Sequence, residues 1–167
     1  MRTFRVVTIT FIAFLLAILV LSCVFVRSEG LNARKKPSNC EYAVANFALG
    51  LSIPREAKKL RNPLSLDPRI LAEARKQYVD HCLICHAEDG SGKTKLSAGL
   101  SPEVPDLRAQ HIQNLTDGEM FYIIKNGVRF TGMPAWDIGD EDIWRLVALI
   151  RQLPKENSSQ PSSKDSK

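Results

Sequence analysis

Cys82-Leu83-Ile84-Cys85-His86 is the stretch on which the reading of this chain turns. Two thiols three residues apart at the end of a helix can each add to a vinyl group of one haem. The adjacent imidazole then lies under the iron as a ligand. A dithiol redox pair shares the spacing but needs a βαβ context, which the flanking sequence lacks. A structural zinc site needs further ligands, and His81, His111 and Cys40 offer no second paired knuckle. A disulfide between two Cys at this spacing on a helix end is a poor staple. The motif therefore favours one covalently attached haem c, held through Cys82, Cys85 and His86.

Helix signals extend outward from it. Asp67-Pro68 reads as an N-cap followed by Pro at the first helical position, and Leu71, Ala74, Tyr78 and Cys82 recur at three- and four-residue steps. Thr116 with Glu119 is a capping box, Met120, Ile123 and Ile124 make one face, and Gly127 stands where that helix should stop. Asp140 is expected to cap a third helix with the face Ile143, Leu146, Val147, Ile150 and Leu153, ended by Pro154. Residues 87–115 read as loop, with two Pro and three Gly, and no run alternates well enough for a strand. The helices supply a thin core for so much loop, so a further group is expected to fill the interior.

With these elements in place, residues 70–153 resemble a mono-haem class I cytochrome c domain. Tyr78 stands four residues before Cys82, and His86 is followed by Ala87-Glu88-Asp89-Gly90-Ser91-Gly92. Pro105-Asp106-Leu107, Asn126-Gly127-Val128, Gly132-Met133-Pro134 and Asp140-Glu141-Asp142-Ile143-Trp144 then come in the family's order. The resemblance implies an all-α fold, a small class I cytochrome c fold with helices packed around a covalently bound haem. It also implies that the first and last helices cross closely over the haem edge. Ala74 departs from the Gly that many members carry at that crossing, so a slightly wider crossing is expected. Residues 28–66 and the tail are outside the resemblance.

The sixth iron ligand must be a soft, neutral donor if the iron is to cycle without large reorganisation. Met133 lies 47 residues after His86, with Gly132 permitting close backbone approach and Pro134 stiffening the exit. That setting and the family position it matches favour Met133, whereas Met120 reads as core filler. His81 immediately precedes the motif and cannot reach the opposite haem face, and His111 reads as a surface or propionate-contacting group. Pro105 is a candidate to pack on the haem or to orient His86 through its carbonyl, its alternative being an ordinary loop Pro. Trp136, Arg108 and Arg129 are candidates to meet haem carboxylates, with surface roles as the alternative. Trp144 is expected in the helix crossing. Cys40 is expected to be buried, with an intermolecular disulfide as the alternative.

The N-terminus adds a membrane. Val6 to Val26 is a run of twenty-one residues without a charge, which as a helix spans roughly 31 Å, a bilayer's hydrocarbon thickness. Its length favours a retained transmembrane helix over a cleaved signal, against the competing Val20-Leu21-Ser22-Cys23, which resembles a lipoprotein box. The organisation expected is an anchor over 1–27, a juxtamembrane arm over 28–66, the haem domain over 67–154 and a disordered tail over 155–167. Arg27, Arg34, Lys35 and Lys36 outnumber Arg2 and Arg5, so the Lys and Arg count does not favour an external C-terminus. Covalent haem attachment requires one, which places the haem domain on the periplasmic side of the inner membrane.

The chain's net charge of +5 does not point to nucleic acid. Residues 70–153 carry nine basic and twelve acidic side chains, and the basic excess lies beside the apolar run. No acid–base or nucleophilic constellation and no small-molecule substrate site is legible. Iron held by both His86 and Met133 has no open position, so the expected function is single-electron transfer between respiratory redox proteins at the membrane, not catalysis. The alternatives are a haem subunit of a membrane oxidoreductase or oxidase, or a ligand-binding haem sensor or enzyme should Met133 be displaced.

Overall fold

The computed structural model describes residues 2–29 and 36–153, which fall into two compact units divided after Lys35. The first is a single helix, α1 (Arg2–Glu29). Within it, Thr3–Val24 is long and apolar enough to cross a membrane, and a signal sequence would have the same character. The expected tail over 155–167 and Pro154 lie outside the described residues.

Every regular element among the described residues of the second unit is a helix. The unit holds α2 (Asn39–Ser52), α3 (Arg55–Lys59), α4 (Pro68–His81), α5 (Leu83–His86), α6 (Gln110–Gln113), α7 (Asp117–Asn126) and α8 (Asp140–Ile150), with a 3-10 turn at Ser97–Gly99. The Asp67 carboxylate accepts from the amides of Arg69 (2.8 Å) and Ile70 (2.9 Å), so two of the orphan N–H groups at the start of α4 are satisfied. Thr116 and Glu119 close the expected capping box on α7, and Gly127 caps its other end. The N-cap of α8 is Gly139, not Asp140. Asp140 is already helical there, and its carboxylate is held by Lys125 Nζ at 2.6 Å. It still favours the helix through the macrodipole, together with Glu141 and Asp142.

The core lies between α4, α7 and α8. Ala74 and Tyr78 from α4, Met120, Phe121 and Ile124 from α7, and the buried face of α8 form one apolar cluster. Ala74 is wholly buried, as a small residue at a close helix crossing should be. Trp144 stacks on Phe121 of α7 with ring centroids 4.3 Å apart, a structural role on the α7 side of α8. Arg151 at the end of α8 donates to the carbonyls of Gln113 and Leu115 and to Asp117, pinning α8 to the link between α6 and α7.

The segment expected as a juxtamembrane arm is, from Ile53 onward, part of this fold. Ile53 is buried, and Leu64 packs against the core. Asn62 Nδ2 donates to the Trp144 carbonyl at 2.8 Å, while its Oδ1 accepts from Leu64 N at 3.0 Å. Gly118 on α7 explains the closeness of α3: a Cβ there would stand 1.8 Å from the Ala57 carbonyl oxygen. Residues 53–64 thus form a strap over α7 and α8, held by the Asn62 bond and by the packing of Ile53 and Leu64.

Candidate functional site

Cys82 ends α4, its amide donating to the Tyr78 carbonyl at 2.8 Å, and the chain immediately winds the single turn of α5. The amides of Cys85 and His86 both donate to the Cys82 carbonyl, at 3.1 and 2.9 Å. Helical spacing of three and four residues puts Cys82, Cys85 and His86 on one side of that turn. Ile84 faces the other way and is 63% exposed. The motif is therefore one rigid unit presenting two thiols and an imidazole in one direction. Both thiols are free and half-buried.

Backbone strain fixes the exit. Ala87 has φ 61° and ψ 167°, a region that non-Gly residues rarely occupy. Its carbonyl accepts from the buried Tyr78 hydroxyl at 2.8 Å, which ties the residue after His86 back to α4. Burial pushes that hydroxyl's pKa up, with Cys82 and Asp89 adding to the shift.

The loop then returns under the imidazole. Gly92 N donates to the His86 carbonyl at 2.9 Å, and Gly92 has φ +70°. A Cβ there would meet the Val104 carbonyl oxygen at 2.7 Å and that of Pro105 at 3.1 Å. Glycine thus lets the segment carrying Pro105 lie against the motif. Gly92→Ala is expected to cost about 1–3 kcal/mol through left-handed strain plus the displaced 104–105 backbone. Thermal denaturation checks this as a lowered midpoint, and an unchanged midpoint contradicts it.

Burial lowers the pKa of His86 below the ordinary imidazole value, and the Pro105 carbonyl opposes that shift. His86 Nδ1 is buried without a partner in hydrogen-bond geometry. The Pro105 carbonyl is close enough to act electrostatically on the ring without closing a well-aligned bond. The Pro105 side chain itself is exposed, so its carbonyl is the part of the residue seen acting on His86. Burial also pushes the Cys82 thiol up to about 12, helped by its neighbour Cys85. A thiol so strongly protonated is unlike the lowered thiolates of dithiol oxidoreductases. Among the described residues no group of three or more His, Cys, Asp or Glu could hold a metal ion. The donor set that remains, two neutral thiols beside a neutral imidazole, suits haem c.

Met133 lies on a loop closed by its own bonds. Val128 N donates to the Met133 carbonyl at 3.1 Å, Met133 N donates to Thr131 Oγ1 at 3.1 Å, and that hydroxyl donates to the Val128 carbonyl at 2.7 Å. Trp136 N reaches the Lys125 carbonyl at 3.3 Å, fastening the loop's exit to α7. Met133 and Cys82 are both half-buried against the same core cluster. The two segments meet directly where His81 and Trp136 pack edge to face, centroids 4.7 Å apart. This contact uses His81 and Trp136 in a role the sequence reading did not assign to either.

The remaining candidates have other partners. Arg108 binds Asp106 and Asp89, at 2.8 and 2.9 Å, and its guanidinium holds the Asp106 carboxyl below the usual range. Arg129 lies over the Phe130 ring at 5.3 Å. His111 is exposed, with Nε2 3.3 Å from the Tyr42 hydroxyl. Cys40, expected to be buried, is exposed, because α2 buries none of its residues. Met120 is buried core, as expected.

Comparison with known proteins bears on the same stretch. Residues 70–150 match the family described as Cytochrome C oxidase, cbb3-type, subunit III. No curated protein matches the chain.

Proposed function

Since residues 70–150 match a c-type cytochrome family, we propose that the protein is a membrane-tethered, mono-haem electron carrier. The observation that carries this reading is the winding of Cys82, Cys85 and His86 onto one turn, with the Met133 loop fastened beside it through His81 and Trp136. Haem c held there supplies reversible one-electron exchange at its iron. Cys82 and Cys85 would hold it by thioethers, and His86 and Met133 would supply the two protein ligands to its iron. The Pro105 carbonyl, which acts on the His86 ring, would favour a proton on Nδ1 and leave Nε2 for iron. Tyr78 and Gly92 hold that arrangement by fixing the backbone on either side of the ligand. In this reading α1 is retained as the anchor, and the haem domain stands on the extracytoplasmic side.

The description of the matching family favours a second reading, in which the same domain relays electrons inside a membrane oxidase complex. Both readings share one test. Potentiometric titration of the membrane-bound chain, followed by its visible spectrum, should give a single reversible one-electron transition and one haem per chain. Two transitions, or an irreversible one, would contradict a mono-haem carrier.

A further inference from the structure

The helix α2 carries an apolar stripe that the folded unit leaves uncovered. Cys40, Val44, Phe47 and Leu51 recur at four-, three- and four-residue steps, which puts them on one face. All four are exposed, Phe47 and Leu51 at 69% and 71%. The contacts of α2 with the rest of the unit lie elsewhere: the Tyr42 hydroxyl is 3.3 Å from His111 Nε2, and Lys58 Nζ donates to the Gly50 carbonyl at 2.7 Å. Tyr42 stands about 180° around the helix from the centre of the stripe. The stripe therefore points away from the folded unit.

We propose that this stripe lies on the surface of the lipid bilayer, as a second membrane contact beyond α1. The inference rests on the reading of α1 as a retained anchor. Two observations select lipid. First, only ten residue steps separate Glu29 at the end of α1 from Asn39 at the start of α2, a reach of at most about 35 Å. A helix of about 21 Å tethered that closely is held within reach of the headgroups. Second, the charge around α2 is complementary to anionic lipid. Residues 30–61 carry seven basic and two acidic side chains, whereas residues 70–153 are net acidic. The helix itself bears a single charge, Glu41, so its basic flanks supply the attraction that an interfacial helix normally carries on its polar face. Seated this way, α2 would set the orientation of the haem domain on the membrane instead of leaving it to swing on a tether.

The test uses the full-length holoprotein in vesicles of phosphatidylglycerol and phosphatidylcholine in equal parts. An environment-sensitive fluorophore is placed on native Cys40 in a Cys23→Ser background. In a Cys23→Ser, Cys40→Ser background it is placed instead at Phe47→Cys, Asn46→Cys or Leu16→Cys. Replacing lipid chains with brominated ones should cut emission at least twofold at positions 40, 47 and 16, and leave position 46 unchanged. Quenching at 16 alone overturns the inference and leaves the anchor standing. Loss of quenching at 16 overturns both. Equal quenching at 46 means an immersed helix, which also contradicts a surface contact. Shielding of Cys40 from brominated chains, with efficient Cys40–Cys40 cross-linking under a copper oxidant, would assign the stripe to a second copy instead.

Discussion

Replacing Cys82 and Cys85 together with Ser should abolish covalent haem, with the boiled, denatured chain running on a gel without any haem stain. The wild-type chain should keep its haem through the same treatment. The expectation is all-or-none because both attachment atoms stand on one helical turn and serine hydroxyls do not add to vinyl groups as thiols do. Each single change should leave one thioether and a weaker stain. The variant should also be less stable than the holoprotein, since the bound group contributes to the folded state and not to the unfolded one. Haem released from the wild-type chain on denaturation would remove the attachment chemistry altogether.

The second large effect is at Met133. Met133→Ala should open the sixth position, turn the iron partly high-spin, lower the reduction potential and admit external ligands, because a soft donor favouring ferrous iron has gone. The oxidised wild-type protein should show the weak near-infrared band of Met-to-ferric-iron charge transfer, and the variant should lose it. Met120→Leu is the control. Met120 is buried among Phe121, Ile124 and the α8 face, so a change of similar volume should cost less than about 1.5 kcal/mol and leave the spectrum alone. If the two substitutions exchange their effects, the ligand is Met120.

What was legible in the sequence was whatever local chemistry determines. Asp67-Pro68, the Thr116–Glu119 box and Gly127 act within a turn of their own positions, and the structure puts helix ends at each. The Cys82–His86 motif is equally local, because one helical turn needs no distant partner to define it. The misses involve contacts between segments far apart in the chain. Residues 53–64 have no clean period, since Ile53, Asn62 and Leu64 are placed by α7 and α8 and not by their own helix or strand pattern. Asp140 reads as a cap from its own neighbours, but the helix is entered one residue earlier, at Gly139, and Lys125, fifteen residues before it, holds the Asp140 carboxylate. Arg151 gave no signal in advance, for its three acceptors come from the 113–117 link. Cys40 was expected inside because free Cys is usually buried. It is outside because α2 buries none of its residues.

At the candidate site the sequence names candidate ligands, and the contacts that surround them are not legible in it. Strain at Ala87, the close approach at Gly92, the Thr131 hydroxyl that closes the Met133 loop and the His81–Trp136 contact depend on backbone conformation and tertiary approach. Glycine at 92 was the available hint, as one of several in an irregular stretch. Arg108 illustrates the converse. Its charge suggested haem carboxylates, but Asp106 and Asp89 already occupy its guanidinium.

The central claim is a closed iron site that carries electrons and binds no small ligand. Carbon monoxide added to the ferrous wild-type protein tests it most directly. With Met133 in the sixth position, the low-spin visible spectrum should stay unchanged over the mixing time. An immediate shift to the carbon monoxide adduct would contradict the claim, and would make the protein a ligand-binding haem sensor or enzyme.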